Sequence, residues 1–148
     1  MSGKVVVKKE TQQVIECKIG EETFAVPISL INEIIQPQQV TPIPKAHPAI
    51  KGLTQIRGEV FPVVDLATVL AKDRIGDTSE DRFIVVTIDE EAIVFVVHGV
   101  VGIHNVDTIE EPSDMYRNHS YVTGVIQKNE QILLVLDFAK ILSDIRQD

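Results

Sequence analysis

Residues 51–70 read Lys51-Gly52-Leu53-Thr54-Gln55-Ile56-Arg57-Gly58-Glu59-Val60-Phe61-Pro62-Val63-Val64-Asp65-Leu66-Ala67-Thr68-Val69-Leu70. Two apolar-bearing runs flank Arg57-Gly58, a pair that signals the turn of a β-hairpin. After the turn, Val60, Phe61, Val63 and Val64 put apolar side chains on both faces, the pattern of a strand covered twice. Asp65 then stands before Leu66, Val69 and Leu70, where its carboxylate can cap a short helix. Strand, tight turn, strand and Asp-capped helix form the local unit.

Upstream, Ile15, Cys17 and Ile19 alternate with Glu16 and Lys18, so a strand begins near Val14. Gly20-Glu21-Glu22 makes a turn, and Phe24, Val26 and Ile28 resume the alternation to complete a hairpin. Ile28, Ile31, Ile34 and Ile35 follow at near-helical spacing with Asn32 and Glu33 outward, which suits either a short helix or the start of a strand. Residues 36–48 hold four prolines and no sustained period, an irregular connection. Residues 1–11 read as a frayed arm.

Downstream, residues 72–81 are a charged loop. Strands over 83–88 and 92–97 flank the turn Asp89-Glu90-Glu91. Val100, Val101, Ile103 and Val106 follow, then a loop over 110–120. A further hairpin over 121–127 and 132–136 turns at Lys128-Asn129-Glu130, and Asp137 caps a closing helix bearing Phe138, Ile141, Leu142 and Ile145.

The order of elements recurs. An offset of 69 places Ile15 on Ile84, Ile19 on Ile88 and Glu21-Glu22 on Glu90-Glu91. An offset of 72 places Gly52 on Gly124, Gln55 on Gln127, Val63 on Val135, Asp65 on Asp137 and Leu70 on Leu142. The chain is therefore expected to be one domain over 1–148 with internal repeats at about 13–71 and 82–145. Val and Ile supply 40 of the 148 residues and Leu only 8. Branching at Cβ favours pleated sheet over helix. The expected fold is mainly β: two pseudo-repeated five-stranded β-barrel subdomains around a shared hydrophobic core, with short helices and with strands free to exchange between subdomains.

Composition narrows the function. With 14 basic against 22 acidic residues the formal charge is −8, and the pI is near 4.9. An acidic surface argues against phosphate backbones and anionic membranes. The longest uninterrupted apolar run, 92–97, is far short of the ~20 residues of a spanning helix. No charged start feeds an apolar stretch with a cleavage site. The chain reads as a soluble cytoplasmic protein with no nucleic-acid partner and no membrane insertion.

Candidates for chemistry are few. Cys17 alternates onto an apolar strand face, where a thiol is a buried spectator. His98 and His104 share strand parity, but Gly99 and Gly102 intervene and no third metal-ligating residue lies nearby. His47 and His119 have no nameable partner. No Gly-x-Ser-x-Gly elbow or phosphate-cradling glycine loop occurs. Asn118-His119-Ser120 matches a glycosylation pattern that matters only on export. No enzyme activity, cofactor or metal is expected. Arg57 stands apart: either its methylenes cover a barrel end, or its guanidinium anchors a partner-facing loop.

Residues 50–66, with Gly52, Thr54-Gln55-Ile56-Arg57-Gly58 and Phe61-Pro62-Val63-Val64-Asp65-Leu66, resemble the signature of CheW-like domains. The resemblance runs from about Gln13 to Asp144 and includes Gly20-Glu21-Glu22 and the connection from Gln39 to Pro44. Gln55 stands where the family usually has Asn, and His98 where an Asp often follows the Val-rich strand. The resemblance implies a non-catalytic adaptor of bacterial chemotaxis that links transmembrane chemoreceptors to the histidine kinase CheA, whose regulatory domain shares the fold. It implies a cytoplasmic protein recruited to receptor arrays, where it alternates with that domain in rings. At 148 residues the chain fits the stand-alone adaptor. A scaffold of another, pilus-type chemosensory pathway would look the same.

Carried over position by position, the resemblance gives a receptor-facing role to Ile31, Glu33 and Ile93, and on apolar character alone to Ile34 and Ile35. The alternative for the four isoleucines is plain core. Gly52 maps to a kinase-facing hairpin, with Arg57 and Gly58 at its turn, and Arg57 to the arginine whose loss uncouples signalling.

Overall fold

The computed structural model describes residues 6–8, 11–112 and 121–146. Their first half forms β1 (Val6–Lys8), β2 (Gln12–Ile19), β3 (Glu22–Pro27), a 3-10 turn (Ile28–Leu30), β4 (Ile31–Ile35), β5 (Val40–Thr41), β6 (Ile50–Ile56), β7 (Glu59–Asp65) and α1 (Leu66–Val69). The second forms β8 (Arg82–Ile88), β9 (Glu91–Val97), β10 (Gly99–Val106), β11 (Ile109–Glu110), β12 (Val122–Lys128), β13 (Gln131–Leu136) and α2 (Phe138–Arg146).

Local chemistry accounts for the joints. The hairpins β6–β7, β8–β9 and β12–β13 turn on residue pairs with positive φ: Arg57-Gly58 (50° and 84°), Asp89-Glu90 (51° and 70°) and Asn129-Glu130 (52° and 63°). Two successive left-handed residues give the turn whose twist matches that of the strands. The Asp65 carboxylate accepts from the Ala67 amide at 3.2 Å and from the Thr68 hydroxyl at 3.0 Å. Asp137 accepts from the Lys140 amide at 3.1 Å. Each aspartate's own amide donates 2.8 Å to a carbonyl 16 residues earlier, Ala49 and Tyr121 respectively.

The strands make two sheets. Sheet 1 has the order β1-β11-β12-β13-β3-β2-β10 and sheet 2 the order β4-β8-β9-β7-β6-β5. Each contains five long strands, and the extra members are the short β1, β11 and β5. The hairpin β2–β3 of the first half lies in a sheet otherwise built mainly from the second half, and β8–β9 lies among first-half strands. Both insertions are sealed by a parallel pair: Ala25 opposite Val135, and Val94 opposite Val63. Ala25 and Val94 are 69 apart, and Val63 and Val135 are 72 apart, so the two sheets repeat one register.

Each sheet rolls around its own apolar filling. In sheet 2 the edge strands β4 and β5 are joined by only residues 36–39, and in sheet 1 the edge strand β10 is joined by only residues 107–108 to β11, the neighbour of the opposite edge strand β1. Val14, Ala25, Val106, Ile109, Ile126, Leu133 and Val135 fill sheet 1. Ile56, Val63, Phe83, Val85, Val94 and Val96 fill sheet 2. A third, larger cluster lies between the sheets and takes in both helices, with Phe95 and Phe138 tilted at 60° and 4.8 Å apart between ring centres. Each fully buried large apolar side chain stabilises by about 1.5–3 kcal/mol.

Three expectations change and one left open is settled. Residues 6–8 are a strand paired with β11 rather than part of a frayed arm. The proline-rich connection contains β5, paired with β6. The strand expected to be covered on both faces is covered only toward its end, for Val60 is 60% exposed whereas Val63 and Val64 are buried. The segment at near-helical spacing, open between a short helix and the start of a strand, is a 3-10 turn leading into strand β4. Of the loop expected over 110–120, residues 113–120 lie outside the described residues, and Asn118, His119 and Ser120 with them.

Candidate protein-binding site

Four of the side chains weighed for chemistry, Cys17, His47, His98 and His104, are buried or hydrogen-bonded. Cys17 is fully buried, and desolvation, with the Glu16 charge adding to it, pushes its thiol up to about 12, so no thiolate is available. His104 Nε2 lies 2.6 Å from Glu16 Oε1, and the Gln131 amide donates to the other Glu16 oxygen at 2.8 Å, which satisfies a buried carboxylate. His98 accepts from the Gly20 amide at 3.0 Å, and His47 accepts from the Ala49 amide at 3.0 Å. Among the described residues no three His, Cys, Asp or Glu side chains gather as metal ligands.

Strand β4 forms an edge of sheet 2, paired only with β8. A bulge between Ile31 and Glu33 adds a residue to β4, so Ile31 lies opposite Val86, Glu33 opposite Val85 and Ile34 opposite Ile84. In a regular strand residues three apart face opposite ways; across the bulge Ile31 and Ile34 both pack on the central cluster. Ile35 packs on the filling of sheet 2. All of β4 except Asn32 is half-buried, an apolar edge with Glu33 set in it. Ile93 stands opposite Val86 and so continues the Ile31 row inward, but at 3% exposure it belongs to the core. It supports the edge from beneath and offers no surface.

Arg57 brings two elements of the site together. Its guanidinium is hydrogen-bonded to the Glu33 carboxylate, although the β6–β7 hairpin and β4 stand on opposite sides of β8 and β9 in the strand order. The rolling of sheet 2 closes that gap. The side chain of Arg57 is 70% exposed and that of Glu33 27%. The bond to Glu33, reinforced by the charges of Glu33 and Glu59, raises the Arg57 pKa above its ordinary value. Gly58 completes the turn with nothing within 4 Å of its missing side chain.

Gly52, which the resemblance maps to a kinase-facing hairpin, lies in the first strand of the β6–β7 hairpin. It is buried with φ 147°, and a Cβ there would lie 2.1 Å from the Thr41 carbonyl oxygen and 2.6 Å from its carbon. Gly52 is the seat on which β5 rests. Thr54, buried beside it, donates from its hydroxyl to the Gln39 carbonyl at 2.8 Å. The surface over this seat is a cleft of about 500 Å³ lined by Gln38, Gln39, Thr41, Leu53, Gln55 and Val60, among others.

Leu53 and Val60 are exposed apolar side chains outside the expected site residues. The signal was present in β6: Leu53 shares the outward phase of Lys51 and Gln55, while Gly52, Thr54 and Ile56 point inward. A second apolar strip, Val100, Val101 and Ile103, is exposed on β10, the edge of sheet 1, with Ile103 at 60%.

The molecule is thus a mainly β protein of two rolled sheets, with an apolar strand edge and a hairpin tied to that edge by an ion pair. The chain belongs to the CheW-like domain family, whose model matches residues 13–146. It is 29% identical to the chemotaxis protein CheW of Klebsiella aerogenes, over 97% of this chain and 92% of that protein. It is 27% identical to protein FrzA of Myxococcus xanthus, over 88% and 84%. Its fold is that of the scaffolding protein TtCheW of Thermoanaerobacter tengcongensis, with a TM-score of 0.79 at 22% identity over 84% of this chain and 88% of that one. The family is one of chemotaxis scaffolds and adaptors rather than enzymes, and no described helix is long and apolar enough to cross a membrane.

Proposed function

We propose that this protein couples chemoreceptors to the histidine kinase CheA as a non-catalytic adaptor, in the cytoplasm, at receptor arrays. In this reading the half-buried edge Ile31, Glu33, Ile34 and Ile35 receives a helical receptor tip, with Ile93 as its floor. An amphipathic helix laid along an apolar edge is a common recognition mode, and each side chain it fully covers contributes about 1.5–3 kcal/mol. The hairpin seated at Gly52 and turned at Arg57-Gly58 meets the kinase regulatory domain. The observation that carries the proposal is the Glu33–Arg57 hydrogen bond, which ties the receptor-facing edge to the kinase-facing hairpin. A charged partner at Glu33 competes directly for the group that positions Arg57.

A second reading, a scaffold of a chemosensory pathway other than chemotaxis, is favoured by the similarity to FrzA, which nearly equals that to a CheW protein. The test is calorimetric titration of the purified chain with a CheA regulatory domain and, separately, with a receptor-tip fragment. Micromolar binding to both, with Ile31→Asp removing only the second, supports the adaptor. Binding to neither by a folded sample leaves the fold and removes the chemotaxis partners.

A further inference from the structure

The loop over residues 72–81 carries the chain from α1 to β8, at the border of sheet 2, yet it lies against the β2–β3 turn of sheet 1. A Cβ on Gly20 in that turn would stand 2.9 Å from the Asp73 carbonyl oxygen and 3.1 Å from the Lys72 Cβ. Lys72 pairs with Glu22, and Lys18 lies 3.7 Å from Glu80. Arg74 forks onto both carboxylate oxygens of Asp81 at 2.8 and 2.7 Å. The loop is thus a strap across the turn of the opposite sheet.

His98 sits at the centre of this junction, buried at the corner between β9 and β10. Its backbone amide donates to the Lys18 carbonyl at 2.8 Å. Its ring Nδ1 accepts the Gly20 amide at 3.0 Å. His98 also lines a cleft of about 510 Å³, together with Ile75, Gly76, Asp77, Ser79 and Glu80 of the strap. Accepting a hydrogen bond at Nδ1 requires a lone pair there, and protonated imidazole has none on either nitrogen. A proton on His98 would set two N–H groups against each other in a buried place.

The charged groups around the ring come from every neighbouring element. Arg74 on the strap opposes a positive imidazole, while Asp81 before β8 and Asp65 at the end of β7 favour it. Lys18 of β2, Glu21 of the turn, and Asp77 and Glu80 of the strap border the cleft. Burial first, then Arg74, outweighs the carboxylates and holds His98 below the ordinary imidazole range.

We infer that His98 is a proton-sensitive fastener: neutral, it fixes the Gly20 amide beneath the strap, and protonated, it releases the turn and the strap from each other. In the opened state the ring titrates near its ordinary value, about 6.5, and in the closed state lower. The opening equilibrium is therefore flat above about pH 6.5 and rises toward tenfold per pH unit below it, until the closed-state value is reached.

The experiment is amide hydrogen exchange by NMR at pH 7.5 and 5.5, on wild type and His98→Asn, whose amide oxygen keeps an acceptor near Nδ1 but does not titrate. The protection factor of Gly20, normalised to Val94 in the middle of sheet 2, should fall severalfold on acidification in wild type and stay level in His98→Asn. Should His98→Asn fail to fold, His98→Gln takes its place. The ring titration of wild-type His98 is followed in the same samples. A Gly20 protection factor independent of pH, the same pH dependence in the variant, or a His98 ring that titrates at or above 6.5 would overturn the inference.

Discussion

Gly52→Ala is the sharpest perturbation of the proposed kinase face, because it adds a single methyl group that no partner needs to touch. The new Cβ must move from 2.1 to at least 3.4 Å from the Thr41 carbonyl oxygen to reach ordinary contact, and the blocking atoms are backbone. Strand β5 has only two residues paired with β6, Val40 with Thr54 and Thr41 with Leu53, so it gives way before the sheet does. Holding alanine at φ 147° costs about 1–3 kcal/mol. Losing the β5 pairing and the Thr54–Gln39 hydrogen bond costs about 0.5–1.5 kcal/mol for each bond. Counting the pairing as one bond, the total of about 2–6 kcal/mol is a large share of the roughly 5–15 kcal/mol that holds a domain together. Thermal unfolding should show a fall in Tm of about 5–20 °C. Val40 should lose amide protection ahead of β8 and β9. Affinity for the kinase regulatory domain should fall at least about tenfold, with receptor-tip binding retained. A Tm within 2 °C of wild type and unchanged exchange at Val40 would refute the reasoning, since the methyl would then have found room without moving β5.

Ile31→Asp places a carboxylate on the half-buried edge and should weaken receptor-tip binding by about 10- to 150-fold, the equivalent of 1.5–3 kcal/mol; a folded variant with wild-type affinity in calorimetry removes Ile31 from the site. Glu33→Arg and Arg57→Glu should each disturb coupling of receptor to kinase activity more than either binding affinity, and the double exchange should recover part of it in a reconstituted kinase assay; no recovery means that the pair does not act as a unit. Glu90→Gly and Glu130→Gly relieve non-glycine residues at φ 70° and 63° in two-residue turns and should each stabilise by about 1 kcal/mol, additively by thermal melts. Phe95→Ala empties the centre of the core between the sheets and should cost about 3–5 kcal/mol in chemical denaturation.

The sequence by itself determined what is local. Alternation through Ile15, Cys17 and Ile19 put those side chains inside, and Asp65 and Asp137 cap their helices as their positions before apolar residues require. The hairpin turns at Arg57-Gly58, Asp89-Glu90 and Asn129-Glu130 fell where polar pairs interrupt apolar runs. Such features depend on neighbours a few residues away, and those are written in the chain order. Only the tertiary structure decided which strand lies beside which. A period of two says which residues face inward but nothing about the strand across the hydrogen bonds, so the parallel seams of β3 with β13 and β7 with β9 follow from the packing of three apolar clusters. The same packing set the bulge that turned a near-helical spacing into one strand face for Ile31 and Ile34. It buried Ile93, for which a receptor-facing role and plain core had both stood open, and it buried Gly52 within β6. It also rolled sheet 2 until Glu33 met Arg57, a contact between residues 24 apart that no local rule contains, because it depends on the curvature of the whole sheet.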